Sequence, residues 1–457
     1  MNGEKQKWRN RLLRGAAAVL ALVFVLGVML EPDGGSGLVA SAYAIAEAKY
    51  PEMARYPVES GDPGSREYKA WEKAVAAQRQ PAGYANGLQN YFTASIRQFL
   101  SGAEKTNVVY SPLNVYMALA MLAELSEGNS RQQILNLLGS GGLDALRKQA
   151  SAVWNAQYRD DGIVSRIMGA SVWLNEDVEF IQSTMDTLAD TYYASTYRGE
   201  MGSEEFNQAL RDWLNAQTGG LLEESISGET LPEDTILALA TTIYYKGKWS
   251  SRFSGNATKQ DTFRSAAGDV TCDFMHGSVT DNYYWGEHFT ASRRSMNGGS
   301  MWFLLPDEGY TPEDLLADDE AAAFMETVFF GGTWENSKRL RINQTIPKFD
   351  VTSTLELEEG LTALGMGDVF DPAAADFSPM TQDVSDPIFI SEATHKARVI
   401  IDEEGVEAAA YTLMVSTPTS APPIQPEEID FVVNRPFLFL ITGADGLPLF
   451  AGVVNHP

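Results

Sequence analysis

The chain reads as an α+β protein. Residues 235–245 (TILALATTIYY) form an apolar, β-rich run without polar alternation. That is the pattern of a strand covered on both faces, although a buried helix gives the same signal. Phe92, Ile96, Phe99 and Leu100 recur at i, i+4, i+7 and i+8, the spacing of an amphipathic helix. Strand and helix signals then alternate irregularly, without the strict βαβ rhythm of a parallel sheet.

In chain order, Lys5, Lys7, Arg9, Arg11 and Arg14 precede an uncharged apolar run over 15–30. A basic region followed by an apolar one is the layout of an export signal. As a helix, residues 15–30 would span roughly 24 Å at about 1.5 Å per residue, a little short of a bilayer core. The expectation is therefore a signal peptide over 1–44, with the triplets Ala40-Ser41-Ala42 and Ala42-Tyr43-Ala44 as small-residue cleavage sites. An uncleaved membrane tether through residues 15–30 is the alternative. Residues 45–84 carry Pro51, Pro57, Pro63 and Pro81 among charges and read as a partly disordered spacer. A short helix over 67–79 is predicted within it, from Tyr68, Trp71 and Val75.

The globular domain is placed at 85–457. After the helix around Phe92 come a short strand at 108–110 and a buried helix opened by Ser111 as N-cap and Pro112 in the first turn. Further strands are predicted at 300–305 and 339–346, and a helix at 354–365. Two hydrophobic strands within 435–454 flank a turn at Asp445-Gly446.

Composition narrows the function. The chain has 457 residues, 44% hydrophobic and 21% charged, with a net charge of −27. That is enough apolar material for a large core, and an acidic surface that disfavours nucleic acid as a partner. One cysteine, Cys272, allows no internal disulfide and reads as a small buried hydrophobe rather than a nucleophile. There is no G-x-S-x-G elbow, H-E-x-x-H or P-loop. His276, His288, His395 and His456 are scattered, none at metal-ligand spacing. No enzyme, metal or cofactor is expected, and the chain is expected to be a monomer.

The run over 401–437 is of a different kind. Between Gly405 and Pro426 the only charge is Glu407, so the stretch cannot bury much and should be an exposed loop. Yet Val406, Ala408, Ala410 and Thr412 alternate on one face and are small enough to pack inside a sheet. It is a loop written so that it could also be a strand.

Six segments, in order over 84–457, resemble the serpin family. They are 107–134 (NVVYSPLNVYMALAMLAELSEGNSRQQI), 238–249 (ALATTIYYKGKW), 300–307 (SMWFLLPD), 346–349 (IPKF), 391–410 (SEATHKARVIIDEEGVEAAA) and 431–441 (FVVNRPFLFLI). The resemblance implies three β-sheets with eight or nine helices, and a metastable native state. It also implies a loop, about 405–430, that baits a serine or cysteine protease. On cleavage the acylated loop inserts as a new strand in the central sheet, a strand addition driven by stored strain. Residues 405–419 would span roughly 50 Å as a strand, at about 3.3 Å each.

The resemblance puts the scissile bond at Thr419-Ser420, which suits an elastase- or subtilisin-like protease of small-residue specificity. The hinge falls on Glu404, Gly405, Val406, Glu407, Ala408, Ala409 and Ala410. A breach tryptophan is implied at Trp249, and a shutter at Ser111, Asn114 and His395. Arg211 stands where the family has asparagine, so it either disturbs that buried network or points away from it. The implied protein is a secreted suicide inhibitor, with a non-inhibitory carrier or structural module as the alternative.

Overall fold

The computed structural model describes residues 42–48, 50–51, 53–57, 64–103, 105–265, 267–382, 387–405 and 427–457, and residues 18–27 by their backbone. Two hydrogen-bonded sheets organise the chain. The central sheet runs in the order β13 (Phe349–Glu356), β14 (Ile388–Ile401), β1 (Ala18–Gly27), β7 (Thr235–Lys246), β5 (Ser165–Asn175), β6 (Ala194–Gly199), β2 (Ala44–Ala46). A two-residue β4 (Arg159–Asp160) pairs with β5. The second path is β15 (Glu428–Val432), β12 (Ser337–Pro347), β9 (Gly268–Trp285), β10 (Phe289–Met296), β11 (Gly299–Pro306), β16 (Phe437–Gly443), β17 (Pro448–Val454), β3 (Val108–Tyr110). On it, β8 (Lys259–Ser265) pairs with β9. The 18-residue β9 reaches through two of the three sheets implied by the resemblance and joins them into one ladder.

Helix α1 (Arg66–Ala77) is followed by α2 (Gln89–Leu100), α3 (Pro112–Leu125), α4 (Gly128–Leu137), α5 (Leu143–Gln157), α6 (Gln182–Tyr192), α7 (Glu204–Gln217) and α8 (Glu223–Ile226). Later come α9 (Pro312–Ala317), α10 (Asp319–Phe329) and α11 (Glu358–Ala363). The eight or nine expected helices become eleven α-helical segments among the described residues. The surplus comes from short pieces such as the four-residue α8 and from α1 in the N-terminal spacer.

Helix α3 explains why the two sheets stay together. Its sequence PLNVYMALAMLAEL is apolar nearly all round, and all of its residues are buried. A helix of that composition has to be enclosed, and α3 lies against β7 and β1 of the central sheet and β17 of the second. The outer face of the central sheet is covered by α7. There Phe206, Leu210, Trp213 and Leu214 pack with Trp173 of β5 and with Ala238 and Ala240 of β7. Strand β7 is thus buried along its length except at Lys246, as its unbroken apolar run demands.

One predicted helix begins too early. Residues 354–356 belong to β13, with Thr354 opposite Lys396 and Glu356 opposite Thr394 of β14, and the helix starts at Glu358. The run Val351-Thr352-Ser353-Thr354-Leu355 is rich in β-branched residues, and its pairing with β14 outweighs the helix pattern. Within the spacer, Tyr50 stacks on Trp154 at 5.7 Å and on Tyr158 at 5.3 Å. Tyr43 meets Phe206 edge-on at 5.1 Å.

Within the apolar run at the N-terminus, the described residues are not helical. Residues Ala18–Gly27 are a strand, parallel to β14 on one side and to β7 on the other. Among the described residues no helix is long and apolar enough to cross a membrane. The tether alternative therefore gains no support.

Candidate functional site: the hinge and the slot it faces

At its C-terminal end β14 runs into a tight turn. Asp402 and Gly405 bridge each other, and Gly405 also bridges Lys248. Gly405 has φ +121°, a region L residues rarely adopt. A Cβ there would sit 2.5 Å from the backbone nitrogen of Trp249 and 2.8 Å from the Cα of Lys248. Only glycine fits at this turn.

Trp249 anchors this turn. Its indole donates to the Asp402 carbonyl at 2.8 Å, and its backbone nitrogen to the Glu404 carbonyl at 3.2 Å. Phe253 N reaches the Glu403 carbonyl at 3.0 Å. Thr258 and Lys348 donate to the Glu403 carboxylate at 2.6 and 3.0 Å, and Arg252 pairs with Glu404 at 2.5 Å. Burial alone would raise the Glu403 carboxyl, but the bonds from Thr258 and Lys348 bring it below the usual carboxylate range. Burial pushes its neighbour Asp402 upward.

Beneath the tryptophan lies a residue that the motifs do not announce. Arg294 is 1% exposed, with its guanidinium 3.6 Å from the Phe253 ring centre and 5.8 Å from that of Trp249. It donates to Gln344 at 2.7 Å and to the Ser251 carbonyl. Burial brings it down to about 10, which leaves it charged at neutral pH. The signal was present in the period-2 pattern of β10, where Ser292, Arg294 and Met296 share the inward face.

The N-terminus of α3 is bonded to both β14 and β7, which lie on either side of β1. Ser111 N donates to His395 Nε2 of β14 at 3.1 Å, and Ser111 Oγ donates to the Leu449 carbonyl at 2.6 Å. The same Oγ caps the helix by accepting from Asn114 N at 3.2 Å. Asn114 Nδ2 donates to the Thr241 carbonyl of β7 at 3.2 Å. Ser111, Asn114 and His395, the three residues that the resemblance groups as a shutter, are joined in one hydrogen-bond network. His395 is fully buried with Tyr110 edge-on at 5.4 Å, and burial lowers it to about 3, so it is neutral.

Arg211 lies elsewhere. Its guanidinium bonds Glu204, Gln208 at 2.8 Å and the Glu229 carbonyl at 2.9 Å. Of the two options open for it, pointing away is the one that holds. It helps fix the segment after α7, which is also tied to β14. Lys396 pairs with Glu229 and donates to the Ser225 carbonyl at 3.0 Å, and Arg398 donates to the Leu221 carbonyl at 3.2 Å.

Cys272 is half-buried, and burial together with Asp273 and Asp261 pushes its thiol up to about 11. A thiol so disinclined to ionise is a poor nucleophile. Of the expected hinge, Glu404 and Gly405 are placed. Val406, Glu407, Ala408, Ala409, Ala410 and the bond Thr419-Ser420 lie outside the described residues.

A family model described as serpin (serine protease inhibitor) matches residues 88–457. The chain belongs to the serpin family. That family is generally one of protease inhibitors. Among its curated relatives, the rat protein alpha-1-antiproteinase is 26% identical over 404 residues, covering 85% of this chain and 93% of its own. The putative serpin-Z6C of Oryza sativa subsp. japonica is 28% identical over 380 residues, covering 77% and 91%. Two solved serpins share the fold. The thermophilic serpin Tengpin in its native state superposes with TM-score 0.71 at 22% identity, over 83% of this chain and 95% of its own. Arabidopsis AtSerpin1 in the native stressed conformation gives 0.67 at 23%, over 83% and 100%.

Proposed function

We propose that this serpin is a secreted, monomeric suicide-substrate inhibitor of serine or cysteine proteases. The target cuts Thr419-Ser420, and the acyl-enzyme is trapped when the cleaved loop enters the central sheet beside β14. The observation that carries this reading is the hinge: Gly405, whose backbone turns against Trp249, leads into a segment free of proline and of charge other than Glu407 as far as Thr417. Such a segment can reverse at Gly405 and run antiparallel to β14. Small residues on its inward face suit a strand buried on both sides.

Each ladder bond gained on insertion contributes roughly 0.5–1.5 kcal/mol, so a full strand supplies on the order of 10 kcal/mol. That is the driving force that carries the protease away before it can deacylate. Trp249 and its partners hold the entrance, and the Ser111–Asn114–His395 network holds the flanking strands at mid-height. No basic residue lies between Gly405 and Pro426, which argues against a trypsin-like target.

Replacement of the residue before the cut tests the assignment. In the exported, processed chain, Thr419→Arg should abolish SDS-stable complexes with an elastase-type protease and create them with a trypsin-type one, read on gels after brief incubation. Unchanged partner preference would move the reactive bond elsewhere in the loop.

A further inference from the structure

The slot that the cleaved loop needs is occupied. Strands β7 and β14 are not adjacent, because β1 lies between them and pairs with each. On the β14 side the register runs from Ala18 opposite Ile388 to Val25 opposite Lys396. On the β7 side it runs from Val19 opposite Thr235 to Gly27 opposite Tyr244. Phe24 is the position opposite both His395 and Thr241, the two residues that Ser111 and Asn114 hold.

The sequence of β1, AVLALVFVLG, has neither charge nor proline. That is what a strand buried on both faces requires, and equally what the apolar core of an export signal requires. One segment meets both demands.

We infer that residues 18–27 are a removable plug: while they stay attached they fill the loop's slot and hold the inhibitor inactive, and processing of the N-terminus arms it. The inference rests on the inhibitory reading above. Its geometry is specific. With β1 in place, β14 has only the positions from Ala397 to Ile401 beyond the last pair at Lys396. Five positions at about 3.3 Å each would draw a cleaved loop in by roughly 16 Å, against roughly 50 Å for residues 405–419. A protease acylated at Thr419 would stay near the entrance, deacylate and leave, so the plugged chain is consumed as a substrate.

The plug and the loop also run in opposite directions. β1 is parallel to β14, whereas the loop, reversing at Gly405, would be antiparallel to it. The two cannot share the slot as one continuous strand, and one must leave before the other is seated fully. Cleavage after Ala42, or after Ala44 at the first residue of β2, separates β1 from the rest of the chain, so export would remove the plug. A copy that kept its N-terminus would trap no protease before it was exported.

The test uses the full chain, made by cell-free synthesis so that nothing is processed, beside its Val23→Pro and Val23→Ala variants. Val23 pairs with Thr394 and Ala240, at the middle of the ladder with β7 and third from the end of the ladder with β14. Proline cannot stand in a central strand, whereas alanine keeps the backbone bonds. Hydrogen exchange reports the slot. The amides of 388–396 and 235–244 that face β1, rather than β13 or β5, should be protected in the full chain and in Val23→Ala, and lose protection in Val23→Pro. Loop nicking by subtilisin, followed by a melting curve, reports insertion. Val23→Pro should gain thermal stability and form SDS-stable complexes, and the other two should do neither.

Equal exchange in all three chains would overturn the plug. So would a gain in stability on nicking that is the same in all three, because the loop would then displace β1 freely. If exchange differs as expected and yet no chain traps a protease, the plug stands and the inhibitory reading falls.

Discussion

At Gly405 the backbone passes so close to Trp249 that any side chain would strain the turn. Gly405→Ala should therefore destabilise the native protein by about 1–3 kcal/mol, the usual cost of a strained backbone position, measured by chemical denaturation. No change would mean that the end of β14 can shift to make room. His395 gives a second residue-scale expectation. Its folded pKa, about 3, lies below the ordinary value near 6.5 for an unfolded chain. Above that value both states are neutral and stability is unaffected. As pH falls from 6.5 toward 3, the unfolded state takes up a proton that the native state refuses, so stability is lost, on the order of a few kcal/mol by pH 4. His395→Asn should flatten that part of the stability–pH curve, and an unaltered slope would assign it to other groups. Such single residues were partly legible in the sequence. Ser111 was marked as a cap by the proline after it, and Gly405 by the small residues that follow. Arg294 was not, because a lone arginine in a strand looks exposed until the alternation around it is followed inward.

Among the elements, β7 was readable because a strand buried on both faces can only be apolar throughout. The N-terminal run could not be resolved, since an export signal and a central strand share one composition and its partner strands lie more than 200 residues away in sequence. The end of β13 was misread as helix because its β-branched residues decide for a strand only together with the pairing that β14 supplies. The segment after α7 offers a prediction of its own. Lys396 and Arg398 tie it to β14 while Arg211 ties it to α7. Lys396→Met removes bonds to Glu229 and Ser225, a loss of about 1.5–3 kcal/mol for hydrogen bonds to a charged group. A nicked Lys396→Met protein, in the Val23→Pro background, should gain its thermal stability faster, because the strands bordering the slot part more easily. An unchanged rate would show that this segment does not limit insertion.

For the whole molecule, the serpin assignment rests on motif order and on a fold shared over most of the chain. What the chain does depends on whether a strand can still be added to the central sheet. A gain on the order of 10 kcal/mol in a domain of this size corresponds to roughly 10 °C or more in Tm. The acidic surface and the absence of any disulfide leave packing as the source of that stability. The most direct measurement is incubation of the full chain and of Val23→Pro with an elastase-type serine protease, read by SDS gel and by melting after the loop is cut. The account predicts a covalent complex joined at Thr419, and a Tm rise of that order, for the chain whose slot is open. Quantitative cleavage at Thr419-Ser420 with no complex and no rise in Tm, in the chain with its slot open, would contradict it.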